Sequence, residues 1–400
     1  MNLFGRQWRL PSSRLAQLGS LHILNDGFLA SYLLLLPFIA RSQHLNLTQV
    51  GSLGTVISAA SIVLALPAGY LAAKFGGLRT LVAALFVYAT GMLGAGVFGH
   101  YYWLLVVFGL GGIGFGVFHP IAFALIAKWS VKETRGRAMG NFTAIGDVGR
   151  IGISAALSFV VAYIGWQNTA LVYATVALVA AVVFYRFLRS QQDTSSQEKK
   201  VAGPPMALRA IAKNRRFVLA MAASACDGFA SASLYVFLPF LLLKRGVSPA
   251  FLGTFTGAFF VGNLLGKVML GRTVDKLGSI KVFIASEILM AGFIFMLANS
   301  TALPVIVFCA VVLGAFTKGT LPVLQAMLSE SVEHHGNFEK AFGLSALVAS
   351  TAVTVAPFVL GFVSDKLGII PAFNVMAVVA LCAIVPATGY ALSRPNPIRS

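Results

Sequence analysis

Ionisable side chains are scarce in this chain, and the few that interrupt its apolar runs are of types that move protons or hold anions. In His22-Ile23-Leu24-Asn25-Asp26 the imidazole precedes the carboxylate by four residues. On a helix that spacing puts both on one face, where a proton can pass between them. A second acid, Asp227, opens Asp227-Gly228-Phe229, which repeats Asp26-Gly27-Phe28. Either carboxylate can carry a coupling proton, because its occupancy responds to the side from which water reaches it. Each could equally cap helix backbone or pair with a buried cation. Arg150 and Lys318 offer donors to an anionic ligand, the guanidinium as a fork and the ammonium as a point charge. Asp147, three residues before Arg150, is placed either to share a ligand with it or to neutralise it. His119 precedes Pro120, whose missing N–H disrupts the helical ladder. A bend there suits ligand contact, as it does a packed histidine bonded to a freed carbonyl. Asn25 adds a neutral donor and acceptor beside Asp26. Glu287 is expected to have a structural partner, and Lys267, about one turn from a helix end, to snorkel.

The elements that must position these groups follow from composition. The 400 residues are 58% hydrophobic and only 10% charged, with a mean hydropathy of +0.85. A soluble domain carries about a quarter charged residues. Runs of about 20 apolar residues, enough to cross a hydrocarbon core about 30 Å thick, recur along nearly the whole sequence. They lack the alternation of barrel strands. The expected helices span roughly 15–40, 48–72, 79–98, 102–128, 138–163, 166–189, 217–243, 249–272, 280–299, 302–329, 341–364 and 370–392. The first is read as a retained span rather than a cleaved leader.

An internal repeat organises these helices. At an offset of 202, Pro37 pairs with Pro239, Gly51 with Gly253, Gly69 with Gly271, Lys74 with Lys276, Gly76 with Gly278, Gly112 with Gly314 and Pro120 with Pro322. The chain is therefore read as a six-helix bundle over 1–189, a linker over 190–216 and a second six-helix bundle over 217–400. The polar linker, with Gly203-Pro204-Pro205, tethers two bodies that must rock. The net charge of +18 is a matter of topology. Most Lys and Arg fall at the termini, in the central linker and in the even-to-odd loops, whereas the opposite side holds only Arg41, Lys244, Arg245 and Lys366. That bias places both termini in the cytoplasm and argues against a nucleic-acid partner.

Other signals weaken under inspection. Gly109-Leu110-Gly111-Gly112-Ile113-Gly114 resembles a dinucleotide loop but lies inside an apolar run with no preceding strand. His334-His335, near Glu330, Glu333 and Glu339, reads as solvated loop charge rather than a metal site. Cys226, Cys309 and Cys382 lack any pairing or ligand spacing, so no metal, cofactor or disulfide is expected. With no phosphate-binding loop and no nucleophile-and-base pair, neither ATP drive nor an enzyme is expected.

The junction Gly69-Tyr70-Leu71-Ala72-Ala73-Lys74-Phe75-Gly76-Gly77-Leu78-Arg79 resembles the short basic loop of the major facilitator superfamily. Its repeat partner is Gly271-Arg272-Thr273-Val274-Asp275-Lys276-Leu277-Gly278-Ser279-Ile280-Lys281. The resemblance implies an all-α membrane protein of twelve transmembrane helices in two pseudo-symmetric bundles, with helices 1, 4, 7 and 10 lining a central path. It assigns a conformational latch to Gly69, Lys74, Gly76, Arg79, Gly271, Asp275, Lys276 and Gly278. Ala73 stands where the family usually has Asp, so a conventional latch is expected only at Asp275. The helix-one motif with Leu36-Pro37, together with Gly112-Ile113-Gly114-Phe115-Gly116-Val117-Phe118-His119-Pro120, resembles exporters of the fosmidomycin-resistance type. Phe108 replaces the Arg of many proton antiporters, and Gly146-Asp147-Val148-Gly149-Arg150-Ile151-Gly152 lacks the proline of drug antiporters.

The resulting expectation is a monomeric, multi-pass transporter of a bacterial inner membrane that exports a polar, zwitterionic or anionic drug or metabolite, a carboxylate siderophore among them. His119, Asp147, Arg150, Lys318 and Asn25 are assigned to the substrate, and Asp26, Asp227 and His22 to protons. The alternatives are a proton-coupled importer of an organic anion and a non-transporting membrane sensor. Asp26 and Asp227 are expected to face one another across the pseudo-symmetry axis.

Overall fold

A computed structural model of the chain describes residues 13–65, 67–129, 135–189, 214–332 and 338–393. Where the apolar runs predict helices, helices form: α1 (Ser13–Gln43), α2 (Leu47–Ala65), α3 (Ala68–Phe75), α4 (Gly77–Val97), α5 (Tyr101–Trp129) and α6 (Arg135–Arg189) build the first half. The second half comprises α7 (Arg215–Ala232), α8 (Leu234–Lys244), α9 (Leu252–Leu277), α10 (Ser279–Asn299), α11 (Leu303–Val332), α12 (Phe338–Leu367), α13 (Ile369–Cys382) and α14 (Ile384–Leu392). Among the described residues, eleven helical stretches are long and apolar enough to cross a membrane. One of them, Asn141–Phe187, has 47 residues. That is roughly 70 Å of helix, more than twice the hydrocarbon thickness. It reverses at Gly165, whose φ of 76° and ψ of 166° are not helical, and so provides two crossings. The protein is thus an all-α membrane protein of twelve crossings in two six-helix bundles.

Three crossings consist of two helices each. Pro67 separates α2 from α3, where its missing N–H removes a rung of the ladder. Ser233 separates α7 from α8, and Ala383 separates α13 from α14. By contrast α1 and α5 continue through Pro37 and Pro120. Asn214 starts α7: its side chain accepts from the Phe217 N–H at 3.2 Å and donates to the Ser331 carbonyl at 2.7 Å.

The two basic loops turn on equivalent glycines. Gly76 and Gly278 have φ of 87° and 83°, conformations that side chains with a Cβ rarely adopt. Gly69 and Gly271, grouped with them in the latch, lie inside α3 and α9, so each turn depends on Gly76 or Gly278 rather than on the first glycine. Lys74 sits over the Phe75 ring, 5.2 Å from its centroid, and Arg79 and Lys276 are exposed. The side chain of Asp275 and the His334-His335 loop lie outside the described residues.

The halves meet along two seams, α2 against α12 and α6 against α9. Each seam closes tightly at the end where α2 and α9 begin. Asp365 caps α2 from the opposite half, its Oδ1 accepting from the Leu47 N–H at 2.8 Å and its Oδ2 from the Thr48 N–H at 2.7 Å. On the other seam Ser158 Oγ donates to the Ala250 carbonyl at 2.8 Å and accepts from the Gly253 N–H at 3.0 Å. The repeat partners Gly51 and Gly253 allow this approach. A Cβ at Gly51 would lie 2.1 Å from the Pro357 carbonyl oxygen, and one at Gly253 2.3 Å from that of Ser154. Further along, Thr55 donates to the Thr354 carbonyl at 2.7 Å, and Tyr235 of α8 to the Ala30 carbonyl of α1 at 2.9 Å.

Two outcomes follow for this closure. Gly51→Leu and Gly253→Leu should each cost about 1–3 kcal/mol, because backbone rather than a flexible side chain must yield. A lowered unfolding midpoint of the detergent-purified protein checks this. Asp365→Ala removes a helix cap worth about 0.5–2 kcal/mol only when this end is shut. It should therefore raise the labelling rate of a cysteine placed at Thr55, by roughly 2- to 30-fold over the same cysteine with Asp365 intact.

Candidate functional site

Helix α1 carries the site, and α5 and α6 enclose it. Asp26 is only 2% exposed. It accepts from Asn25 Nδ2 at 2.9 Å through Oδ1 and from Arg150 Nη2 at 2.7 Å through Oδ2. His22 Nε2 lies 3.2 Å from Oδ2, and His119 Nε2 3.6 Å from Oδ1. Close packing permits this convergence: a Cβ at Gly146 would come within 2.6 Å of both Asp26 and His22, so only glycine lets α6 pass here.

The tautomer of His22 follows from its far side. Its Nδ1 lies 2.8 Å from the Phe142 carbonyl oxygen, a bond that requires an N–H on Nδ1. In neutral imidazole Nε2 is then a bare acceptor facing a carboxylate, which is unfavourable. The contact becomes a hydrogen bond when one proton lies between Nε2 and Oδ2. Phe142 stacks on His22 at 4.0 Å between centroids and Phe118 at 5.6 Å, holding the ring in place. His119, at 24% exposed, is the partner of Asp26 most open to water.

A ladder of charge leads from Asp26 into the other half. Arg150 Nη1 donates to Asp147 Oδ1 at 2.9 Å, and Lys267 of α9 donates to Asp147 Oδ2 at 2.6 Å. Asp147 has no exposed surface. Lys267 was expected to snorkel, yet α9 continues to Leu277, about 15 Å beyond it. Its ammonium cannot reach the helix end and pairs across the α6–α9 seam instead. The ligand atoms of His22, Asp26 and His119 lie within 4.8 Å of one another, a spacing a metal ion could use. The Arg150 guanidinium already compensates the Asp26 charge, which favours a proton there over a metal cation.

Between the halves lies a cavity of about 350 Å³. Leu33, Ile57, Phe115, Tyr235, Phe259 and Phe260 supply apolar wall, and Ser58, Ser61, Asn263 and Thr317 supply hydroxyls and an amide. Among the described residues Arg150 is its only charged lining side chain. The guanidinium also lies 5.8 Å from the centre of the Phe260 ring.

Six of the sequence candidates, His22, Asn25, Asp26, His119, Asp147 and Arg150, thus form one cluster. Asp227 does not join it. Thr320 Oγ1 donates to Asp227 Oδ1 at 3.0 Å, and Glu287 is its electrostatic neighbour. Glu287 is fully buried, and the neighbour it meets is the Asp227 side chain of the same half. Lys318 is on α11, and its side chain lies outside the described residues. The sequence reading missed Tyr235, Phe260 and the Phe142 carbonyl. Aromatic residues in apolar helices give no signal of facing a cavity, and a backbone carbonyl gives none at all.

Known proteins place this architecture. The family model described as Major Facilitator Superfamily matches residues 18–246 and 220–400. The uncharacterized MFS-type transporter YcaD of Escherichia coli O139:H28 (strain E24377A / ETEC) is 25% identical over 307 residues, 75% of this chain and 76% of that protein. YcaD of Shigella sonnei (strain Ss046) matches to the same extent. Two crystal structures of a bacterial homolog to the human lysosomal transporter Spinster share the fold. The inward-facing and occupied one has a TM-score of 0.77 at 13% identity, covering 94% of this chain and 96% of the other. The inward-facing and unoccupied one has 0.73 at 15%, with 94% of each covered. With the repeat, the twelve crossings and the central cavity, these matches make the chain a transporter of the Major Facilitator Superfamily.

Proposed function

We propose that this protein is a secondary active transporter that carries a small organic anion or zwitterion by alternating access, coupled to protons through the His22–Asp26 pair. One observation carries the reading: Arg150 is both the charged group offered to the cavity and a direct partner of Asp26. A ligand and a proton therefore act on the same guanidinium. The wall, apolar over most of its area with a few hydroxyls, suits an amphipathic body behind an anionic head.

The distribution of Lys and Arg supports termini in the cytoplasm of a bacterial inner membrane. The end sealed by Asp365 and Ser158 then faces outward, and the cavity belongs to an inward-facing state. Export of a drug, metabolite or siderophore by proton antiport draws support from the helix-one and helix-four motifs that resemble fosmidomycin-resistance-type exporters. Import of an organic anion draws support from the cationic lining. Asp227, beside the buried Glu287, is the proposed second protonatable group of the transport cycle.

In proteoliposomes loaded with a pH-sensitive dye, candidate anions and zwitterions should dissipate an imposed pH gradient through the wild type. Asp26→Asn should reduce that proton movement at least about tenfold, and a smaller loss in Asp227→Asn would place the main site at Asp26. Undiminished compound-dependent proton flux in Asp26→Asn would remove the basis of the coupling assignment. Arg150→Ala should weaken saturable uptake of an anion by about 2–5 kcal/mol, roughly thirtyfold or more, with partial recovery in Arg150→Lys. Equal uptake by wild type and Arg150→Ala would rule out the anion site.

A further inference from the structure

The charges around Asp26 also fix the sense in which a proton and an anion interact. Four ionised groups make up the ladder: Asp26, Arg150, Asp147 and Lys267, two acids and two bases. With both histidines neutral these charges cancel. Among the described residues, the other titratable groups near Asp26 are His22 on its own helix, His119 on α5, Tyr88 on α4 and Tyr235 on α8 beside Arg150. The tyrosines bring no charge at neutral pH. A proton added to the His22–Asp26 pair therefore leaves the cluster one positive charge in excess.

That excess appears at one place. Asp26 and Asp147 are buried, and only Arg150 of the four contributes to the cavity wall. When the pair is unprotonated, Arg150 divides its donors between two carboxylates, Nη2 to Asp26 and Nη1 to Asp147. When the pair is protonated, Asp26 no longer needs the guanidinium, while Asp147 keeps Lys267 at 2.6 Å. Arg150 Nη2 is then released at the cavity wall that this side chain lines, and an anion placed there restores neutrality.

We infer that a proton on the His22–Asp26 pair and an anion on Arg150 bind cooperatively, so that this transporter moves the two together as a cotransporter rather than exchanging one for the other. This rests on the anion and proton sites proposed above. It replaces the antiport sense drawn from the helix-one and helix-four motifs with a joint one. The carrier loaded with both ligands holds the same net charge as the empty one, so both can reorient without carrying an unpaired charge across the bilayer centre. The carrier with a proton alone cannot do so as easily, and this penalty prevents a proton leak.

The test uses 2-naphthalenesulfonate, a fluorescent amphipath that stays anionic across the working range, with purified protein in lipid nanodiscs. Affinity should rise as pH falls, by up to about tenfold per pH unit, since one bound proton accompanies one anion. Asp26→Asn, which cannot carry the carboxylate charge, should bind the probe more tightly than the wild type at about pH 8 and with a weaker pH dependence. By reciprocity, adding the probe to wild type in weakly buffered solution should draw protons from the medium, approaching one per probe bound. Proton release on binding, or an affinity that falls or stays level as pH falls, overturns cotransport while leaving the anion site standing. Absence of saturable binding by both wild type and Asp26→Asn at every pH overturns the anion site and the inference together.

Discussion

Arg150 holds two carboxylates at once, and the central region of the molecule is arranged around that fact. A guanidinium inside a bilayer has to be compensated, and its planar fork presents separate nitrogens to two acids in different directions. Nη2 reaches α1 through Asp26 and Nη1 reaches Asp147 on its own helix, which in turn accepts from α9. The chain of contacts fixes the rotation of α1 and α6 about their axes, because a turn of either would strand a charge. The glycines serve the same constraint. Gly146 yields its volume to Asp26 and His22, and a Cβ at Gly149 would meet the Ile23 carbonyl oxygen at 1.9 Å, so the backbones must lie this close for the ladder to close.

Chemistry at Asp26 is thereby tied to geometry between the halves. A change in charge at the carboxylate alters what Arg150 requires, and Arg150 stands between that carboxylate and the cavity. Asp147 is the last shared member before the seam, so the ladder links the charge at Asp26 to the contact between α6 and α9. In a fold whose two bodies touch mainly through small residues and backbone, such a cross-half ion pair is a specific rather than a diffuse constraint.

Much of this could be read from the chain. The crossings follow from apolar length, since nothing but a helix satisfies its own backbone in lipid, and the two halves follow from a repeat offset that the pairing of Gly51 with Gly253 expresses at both seams. The cluster of His22, Asp26, Asp147 and Arg150 was legible because ionisable residues at mid-membrane depth are few and must find one another. Lys267 was misjudged because the end of α9 was placed too early, making an ordinary surface explanation available. Asp227 was expected opposite Asp26 because repeat symmetry fixes backbone position, but symmetry could not reveal the hydrogen bond that Thr320 gives it. The tautomer of His22 depends on a carbonyl 120 residues away in sequence, which no periodicity could reveal.

The two seams differ in one respect that symmetry would hide. The α6–α9 seam contains the Asp147–Lys267 pair at its middle, whereas the α2–α12 seam, among the described residues, is joined there by a hydroxyl on a carbonyl, Thr55 on Thr354. Separating charges at depth is far more costly than exchanging one neutral hydrogen bond for another. If the halves rock as the proposed transport cycle requires, the motion would be eccentric: the stiffer seam would act as a pivot with little travel, and the mouth of the cavity would widen as a wedge from the side of α2 and α12.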